Sequence, residues 1–275
     1  MRIEPIFVFD LDGTLVDSVY QHVFAWREAL EAEGISLSFW RIHRKVGMSG
    51  GLLANQLLRE TGVEISDALV DRLRERHAAA YNARAASVRP LPGAIELLAW
   101  LSDRKIPWAI ATSGHRDAAA PALAALRIDR DRTPVVTGDQ VKYAKPDPDL
   151  FIAAAERLGA AVQTAVVLGD SIWDMLAAKR CKALGVGLLS GGYGSRELQD
   201  AGAIRVYEDP ADVLRHIEDR RTPIGKARCV LILRPRNASR KGRIDRAPTG
   251  CAGMTCARPA PRTCAAARPG PLSRA

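Results

Sequence analysis

Short apolar runs alternate along this chain with segments of helical periodicity. Between two of these runs, Ala94, Leu97 and Leu101 follow the spacing of an amphipathic helix. Strands that alternate with helices predict βαβ units, and hence an α/β fold with a doubly wound, Rossmann-like parallel sheet. In such a sheet, ligands bind beyond the carboxyl ends of the strands. The predicted strands are residues 6–9, 108–111, 135–136, 165–168, 186–189 and 204–207.

Residues 18–89 interrupt this alternation, because they contain no segment with the pattern of a strand. Val19 and Val23 lie on one face of a predicted helix, and helical periodicity continues through the segment. We therefore expect an all-helical cap subdomain inserted after the first strand. The chain is expected to leave and re-enter the core through hinges at residues 16–18 and 88–92.

Residues 222–275 differ in composition from the rest of the chain. This tail has ten Arg, ten Ala and seven Pro, and it has no aromatic residue. Such a segment buries too little apolar surface to offset its chain entropy, so we expect a disordered basic tail. The abrupt change suggests a frameshifted or non-functional extension. The predicted core is then residues 1–17 and 90–221.

The formal net charge of +9 comes from 40 Lys and Arg against 31 Asp and Glu. The tail holds 12 of the basic residues and a single acid, Asp245, which leaves 28 basic and 30 acidic residues before it. The body therefore lacks the positive surface expected of a protein that binds DNA or RNA. A nucleic-acid or scaffold protein that acts through the basic tail is the alternative from another class of function.

No apolar run approaches the ~18 residues that a membrane span requires. The first apolar run ends at Asp10, and no cleavable signal peptide is recognisable. Before the tail, Cys181 is the only cysteine, which favours a reducing compartment. We therefore expect a cytoplasmic protein with no membrane partner.

Asp10 and Asp12 follow the first predicted strand directly, and Gly13 comes next. On an extended backbone, side chains two residues apart point the same way, so the carboxylates lie side by side. Neighbouring carboxylates raise each other's pKa unless a cation lies between them, which indicates a metal or a shared proton. Gly13 permits a sharp turn. A plain turn is the alternative for the bare motif, and the preceding strand disfavours it.

The segment resembles the first motif of the haloacid dehalogenase superfamily, Asp-x-Asp-Gly-Thr. The resemblance extends over residues 3–218, and three further motifs follow in the family's order. Singly, each has a plain alternative: a turn, a surface charge or a loop. The inserted cap resembles those of phosphoglycolate phosphatases and β-phosphoglucomutases. The further motifs are Thr112-Ser113-Gly114, Lys145, and the acidic loop with Asp170 and Asp174.

The resemblance implies a role for each matching residue. Asp10 would attack phosphorus, and Asp12 would transfer protons as a general acid and base. Mg²⁺ would be held by Asp10, by the backbone carbonyl of Asp12 and by Asp170, because Mg²⁺ prefers hard oxygen ligands. The residues that would bind the phosphate are Thr112, Ser113, Gly114 and Lys145, with Thr112 and Lys145 also serving catalysis.

Four other residues have two interpretations each. Arg41 and Lys45 lie in a basic segment of the cap, where they would bind an anionic substrate on closure or form a solvated turn. His22 is interpreted as a hinge residue that senses closure or as a packed histidine. Asp174 would orient Lys145 or a metal-bound water, or would be a first-turn residue favoured by the helix dipole.

The resemblance predicts a Mg²⁺-dependent phosphatase that hydrolyses a small phosphorylated metabolite through an aspartyl-phosphate intermediate. A phosphomutase of the β-phosphoglucomutase type is the alternative, and Thr14 after the glycine favours hydrolysis. The superfamily's dehalogenases and phosphonatases lack a carboxylate at the position of Asp12, which argues against both activities.

Because the tail differs in composition from the body, we predict that residues 1–221 alone fold and retain full activity. Circular dichroism, thermal melting and phosphatase assays of the truncated and full-length proteins test this expectation. Loss of the folded state on truncation would show that the tail packs against the body.

Overall fold

The computed structural model describes residues 5–128 and 132–218. The predictions for the tail, residues 222–275, lie outside the described residues. Within them, a six-stranded sheet has the order β5-β4-β1-β6-β7-β8, and every neighbouring pair is parallel. A second sheet pairs β2 with β3 in antiparallel orientation. The strands are β1 Ile6–Phe9, β2 Val16–Asp17, β3 Arg89–Pro90, β4 Trp108–Ala111, β5 Val135–Val136, β6 Ala165–Gly169, β7 Leu184–Leu188 and β8 Ala203–Tyr207.

Helices follow the strands of the main sheet and also fill the insertion after β2. None of the described helices is long and apolar enough to span a bilayer. The helices are α1 Val19–Glu31, α2 Phe39–His43, α3 Gly50–Thr61, α4 Asp67–Arg84, α5 Ala94–Asp103, α6 Arg116–Ala125, α7 Asp149–Arg157, α8 Ile172–Arg180, α9 Ser195–Ala201 and α10 Pro210–Glu218.

The parallel α/β core with its helical insertion confirms the predicted fold class. All four side chains of β1 are buried, because this strand lies inside the sheet and helices cover both faces. Phe7 and Phe9 belong to the apolar cluster on one face, and Ile6 and Val8 belong to the cluster on the other. This alternation follows from the two-residue period of a strand.

The strand order places β1 between β4 and β6. Phe9 is in register with Ile110 of β4 and with Leu168 of β6. The three strands are parallel, so their carboxyl ends lie together at one edge of the sheet. Whatever follows these strands in the sequence therefore meets at that edge.

Helices α1 to α4 form the inserted cap above this edge. They share an apolar cluster of their own, which includes Val23, Trp26, Leu57 and Leu73. The cap joins the core where β2 pairs with β3, at the segments predicted as hinges. The domain boundaries deduced from the sequence stay a prediction.

Candidate active site

Three of the side chains predicted to form the site follow the adjacent ends of β1, β4 and β6. Asp10, Thr112 and Asp170 each come directly after one of these strands, and all three are buried. Lys145 enters from the segment between β5 and α7 and is fully buried. The topology thus brings together residues from four distant parts of the chain.

The Lys145 ammonium forms ion pairs with the carboxylates of Asp10 and Asp174, the latter at 2.8 Å. Burial by itself would lower the pKa of Lys145, but these two carboxylates outweigh burial and raise the pKa above its usual range. The lysine is therefore charged, and it provides a fixed positive charge at the base of the site.

Asp10, Asp170 and Asp174 present carboxylate oxygens within 4.8 Å of one another, and all three residues are buried. Burial, followed by repulsion from Asp174 and Asp12, raises the pKa of Asp10 to about 7 against the pull of Lys145. Burial, followed by repulsion from Asp174 and Asp10, also raises the pKa of Asp170. Three carboxylates against one ammonium leave uncompensated negative charge, so this oxygen-rich cluster fits a divalent cation such as Mg²⁺.

Two glycines allow the Asp170 carboxylate to lie where it does. A Cβ atom on Gly13 would come within 2.5 Å of Asp170 Oδ2, and one on Gly191 would come within 1.7 Å. Gly13 also has a φ of +82°, which favours glycine. Thr14 Oγ1 donates a hydrogen bond of 3.1 Å to Asp170 Oδ1. Gly13 therefore allows the Asp170 carboxylate to approach the backbone closely, in addition to permitting the turn expected from the sequence.

The carboxylate of Asp12 has different neighbours from that of Asp10. Ser18 Oγ donates to Asp12 Oδ1 at 2.6 Å, and His22 Nε2 lies 3.2 Å from the same oxygen. Burial alone would raise the pKa of Asp12, but His22 and then Ser18 bring it below its usual value. The Asp12 carboxylate is not among the three whose oxygens lie within 4.8 Å of one another, and it is bonded to Ser18 and His22 instead.

A cavity of about 470 Å³ lies above these carboxylates, between the core and the cap. The cap is closed onto the core: Ser113 Oγ donates to the carbonyl of Gly47 at 2.9 Å, and His43 Nε2 lies 2.8 Å from the carbonyl oxygen of Gly191. The core residues that line the cavity include Asp10, Asp12, Thr112, Ser113, Gly114, His115 and Asp117. Those from the cap include His22, Trp26, Met48, Asp71, Arg74, Glu75 and His77.

A family model described as haloacid dehalogenase-like hydrolase matches residues 5–182. The chain belongs to this family. It is 33% identical to a phosphoglycolate phosphatase of Agrobacterium fabrum over 193 residues, which cover 69% of this chain and 82% of that protein. It is 34% identical to hexitol phosphatase A of Escherichia coli over 196 residues, with coverage of 66% and 82%.

Among solved structures, a hydrolase from Pseudomonas syringae superimposes with a TM-score of 0.77 at 56% sequence identity. The match covers 80% of this chain and 100% of that one. The family and these relatives confirm the prediction that the chain is an enzyme, a phosphoric monoester hydrolase.

The cap residues that line the cavity are not Arg41 and Lys45, the two that the sequence suggested for substrate binding. Arg41 and Lys45 do not line the cavity; each pairs with Glu60, at 3.0 and 2.9 Å. Arg74 and His77 of α4 line it instead. In the sequence, Arg74 and His77 show only the three-residue spacing that places them on one face of a helix. That spacing does not reveal that this face of α4 is directed towards the core.

Asp174 combines the two interpretations that the sequence left open. Its Oδ1 pairs with Lys145, while its Oδ2 accepts hydrogen bonds from the hydroxyl and backbone N–H of Ser171, at 2.5 and 3.1 Å. The residue therefore begins α8 as part of a capping box and also holds the lysine.

The carboxylate cluster predicts how pH and Mg²⁺ act on stability. A carboxyl group with a raised pKa binds protons in the folded state, so the metal-free protein loses stability as pH rises from 3.8 towards about 7. Mg²⁺ at about 100 times its Kd would stabilise the protein by about 2.7 kcal/mol, or roughly 5–10 °C in Tm. The shift should be larger at about pH 8 than at about pH 5, where protons compete.

Thermal melting of the full chain with Mg²⁺ or chelator measures these shifts. Asp170→Asn should abolish most of the Mg²⁺-dependent increase in Tm. Glu64→Gln, which changes an exposed acid of the cap away from the cluster, should retain it. An equal increase in the Asp170 and Glu64 variants would contradict a metal site at this cluster.

Proposed function

We propose that this hydrolase is a Mg²⁺-dependent phosphatase that removes the phosphoryl group of a small phosphorylated metabolite through an aspartyl-phosphate on Asp10. The observation that carries the proposal is the position of the Asp10 carboxylate. It lies at the base of a capped cavity, beside a buried ammonium and within a carboxylate cluster that fits a divalent cation. A carboxylate so placed is suited to nucleophilic attack on phosphorus.

The phosphoryl group would bind at the core end of the cavity. Thr112, Ser113 and Gly114 line this end, and Lys145 lies directly behind Asp10. The hydroxyl groups of Thr112 and Ser113 and the positive charge of Lys145 would stabilise the phosphoryl oxygens on which negative charge develops during transfer. Because Asp10 is fixed at the end of the central strand, its oxygen is held in place for in-line attack.

Asp12 is proposed to carry protons to and from the reacting oxygens. It lines the same cavity as Asp10, and its two neighbours favour the ionised form in the free enzyme. That form suits the second step, in which Asp12 removes a proton from the attacking water. A bound phosphate dianion would raise the pKa of Asp12 by repulsion, which favours the acid form needed to protonate the leaving oxygen.

Mg²⁺ would be held by Asp10, Asp170 and the backbone carbonyl of Asp12. When bound, it neutralises negative charge on the phosphate and on the carboxylates around it. Asp174 is adjacent to this set, and its ion pair with Lys145 keeps the lysine directed towards Asp10. The cytoplasmic location expected from the sequence stays a prediction.

A phosphomutase is the second candidate, since it would use the same two aspartates. It must return the phosphoryl group to a second hydroxyl of the bound sugar rather than to water. The phosphatase names of the relatives from Agrobacterium and Escherichia coli support hydrolysis instead. A scaffold function through the basic tail gives no role to the buried Asp10, Lys145 and Asp170, so we do not favour it.

The mouth of the cavity gives a basis for proposing the substrate class. Asp71, Glu75 and Asp117 line the cavity and are exposed, so they lie towards its mouth, and the guanidinium of Arg74 is among them. Arg74 is already held by Asp71 at 3.4 Å and by His115 at 3.0 Å. A mouth with more carboxylates than cations repels a negatively charged leaving group and accepts hydrogen bonds from hydroxyls. We therefore favour phosphates of neutral, hydroxyl-rich molecules.

We expect hexitol and sugar phosphates to be hydrolysed with a kcat/KM at least about fivefold above that of 2-phosphoglycolate, because the additional negative charge of 2-phosphoglycolate near the carboxylates of the mouth costs about 1 kcal/mol. A panel of phosphorylated metabolites, assayed with Mg²⁺ and with chelator, measures this ratio. 2-Phosphoglycolate as the best substrate would contradict the substrate class, and undiminished turnover in chelator would contradict the metal requirement.

Substitution of the two aspartates of the first motif should affect turnover and formation of the intermediate differently. Asp10→Asn should abolish both the intermediate and turnover, because an amide is a poor nucleophile. Asp12→Asn should reduce turnover by roughly 10²–10⁴-fold. With p-nitrophenyl phosphate, whose leaving group needs no proton, Asp12→Asn should still form aspartyl-phosphate on Asp10.

Rapid quench followed by mass spectrometry detects the phosphorylated residue. A phosphoryl group on Asp12 or Ser113 would overturn the assignment of roles to the two aspartates.

A further inference from the structure

A short segment of the core, residues 190–192, connects the cap with the carboxylate of Asp170. His43 of α2 reaches this segment from the cap, and its Nε2 lies 2.8 Å from the carbonyl oxygen of Gly191. A carbonyl oxygen can only accept a hydrogen bond, so His43 Nε2 carries the hydrogen and donates it. The proposed reaction uses Asp170 as a metal ligand, but it gives no role to His43.

The Asp170 carboxylate is packed against two glycine backbones. Neither Gly13 nor Gly191 has room for a Cβ atom beside Asp170 Oδ2, which shows how closely both backbones approach that oxygen. The other oxygen, Oδ1, accepts the hydroxyl of Thr14 at 3.1 Å. The orientation of the carboxylate is therefore set by what it touches, and a shift of Gly191 would leave Oδ2 free to move.

Gly191 is held both by the core and by the cap. Its neighbour Ser190 donates a hydrogen bond of 2.6 Å from Oγ to the carbonyl of Gly13, which ties the segment to the turn of the first motif. The bond from His43 holds the carbonyl of Gly191 from the side of the cap. The cap thus completes the support of a residue that contacts the proposed metal ligand.

Aromatic neighbours hold the His43 ring in position for this bond. The ring stacks on Tyr20 of α1, with centroids 5.5 Å apart and planes inclined by 10°. The ring of Tyr193, from the core, lies 5.8 Å away on the centroid distance. A ring that is already fixed loses little conformational freedom when its Nε2 bonds to Gly191, so the bond is formed at low entropic cost.

Other contacts keep the cap closed without involving this segment. Arg44 forms an ion pair with Glu197 of α9, and its guanidinium lies 4.2 Å from the centroid of the Tyr193 ring. The hydroxyl of Tyr193 donates to the backbone carbonyl of Arg44 at 2.9 Å. Because these contacts would remain, removal of the His43 hydrogen bond should change the support of Asp170 while the cap stays closed.

We propose that His43 is a positioning residue for Asp170, because its hydrogen bond to the Gly191 carbonyl holds that backbone against the carboxylate. The inference rests on the proposed function, in which Asp170 binds Mg²⁺. His43 belongs to the cap and Gly191 to the core, so opening of the cap must break this bond. The closed cap therefore holds Mg²⁺ more tightly than the open one and, because coupling is reciprocal, Mg²⁺ favours the closed cap.

Two substitutions separate the hydrogen bond from the stacking. His43→Phe keeps a ring on Tyr20 but has no donor, whereas His43→Gln places an amide near the position of Nε2 and keeps a donor. We expect His43→Phe to raise the Kd for Mg²⁺ about fivefold, the effect of one ordinary hydrogen bond, and His43→Gln to raise it less than about twofold. If thermal melting shows that the phenylalanine does not fit, His43→Ala replaces it with the same expected increase.

Isothermal titration of the full-length variants with MgCl₂ measures these constants without turnover. Arg44→Met is the matched control, because it removes a contact between cap and core that does not involve Gly191. Its Kd for Mg²⁺ should stay within about twofold of the wild-type value. An unchanged Kd in His43→Phe, an equal increase in Arg44→Met, or no recovery in His43→Gln would each overturn the proposal.

Hydrogen–deuterium exchange gives a measurement that does not depend on Mg²⁺. In the metal-free protein, the amides of residues 189–194 should exchange faster in His43→Phe than in the wild type or in Arg44→Met, because the segment has lost its bond to the cap. Unchanged exchange in His43→Phe would overturn the proposal even if the wild-type chain bound no Mg²⁺. The expected exchange without Mg²⁺ binding would instead contradict the proposed metal requirement and support the link between His43 and Asp170.

Discussion

The ion pairing of the buried Lys145 ammonium is the interaction on which the site depends. A buried charge is costly unless it is paired, and Lys145 is paired with both Asp10 and Asp174. The carboxylates outnumber the ammonium once Asp170 is included, and burial together with this excess raises the pKa of Asp10 and of Asp170. The same excess fits the site for a divalent cation, so one charge imbalance explains the metal requirement that we propose.

The fold supplies this arrangement by placing strand ends and the cap around one point. The central position of β1 brings the ends of β4 and β6 beside Asp10, and the cap closes above them. Enclosure by the cap deprives the carboxylates of water and strengthens the interactions among them. Asp10 and Asp12 are only two residues apart, yet one faces the lysine and the other faces Ser18 and His22. This difference between their surroundings is the basis on which we propose different roles for the two carboxylates.

The sequence predicted which strand ends would meet, because residues that directly follow the strands of a parallel sheet lie at the same edge. Asp10, Thr112 and Asp170 each end a strand, so their meeting follows once the sheet is assumed. Lys145 has no such signal, and only the family resemblance placed it. The cap was less predictable: Arg41 and Lys45 were chosen for their charge, but the structure pairs them with Glu60. The charge of a residue suggests what it could bind, but it does not show whether the residue lies on the face of the helix that is directed towards the core.

By itself, the sequence determined the class of fold and the kind of groups at its edge: an alternating α/β core, a helical insertion, and carboxylates at the ends of buried strands. These features can be read from local periodicity and motif spacing, because each depends on residues that are close together in the sequence. The tertiary structure alone decided which groups surround each carboxylate. The contact of His22 with His77 joins residues 55 positions apart, and that of Lys145 with Asp10 joins residues 135 apart. Contacts at such separations depend on how helices and strands pack, and no local pattern encodes them.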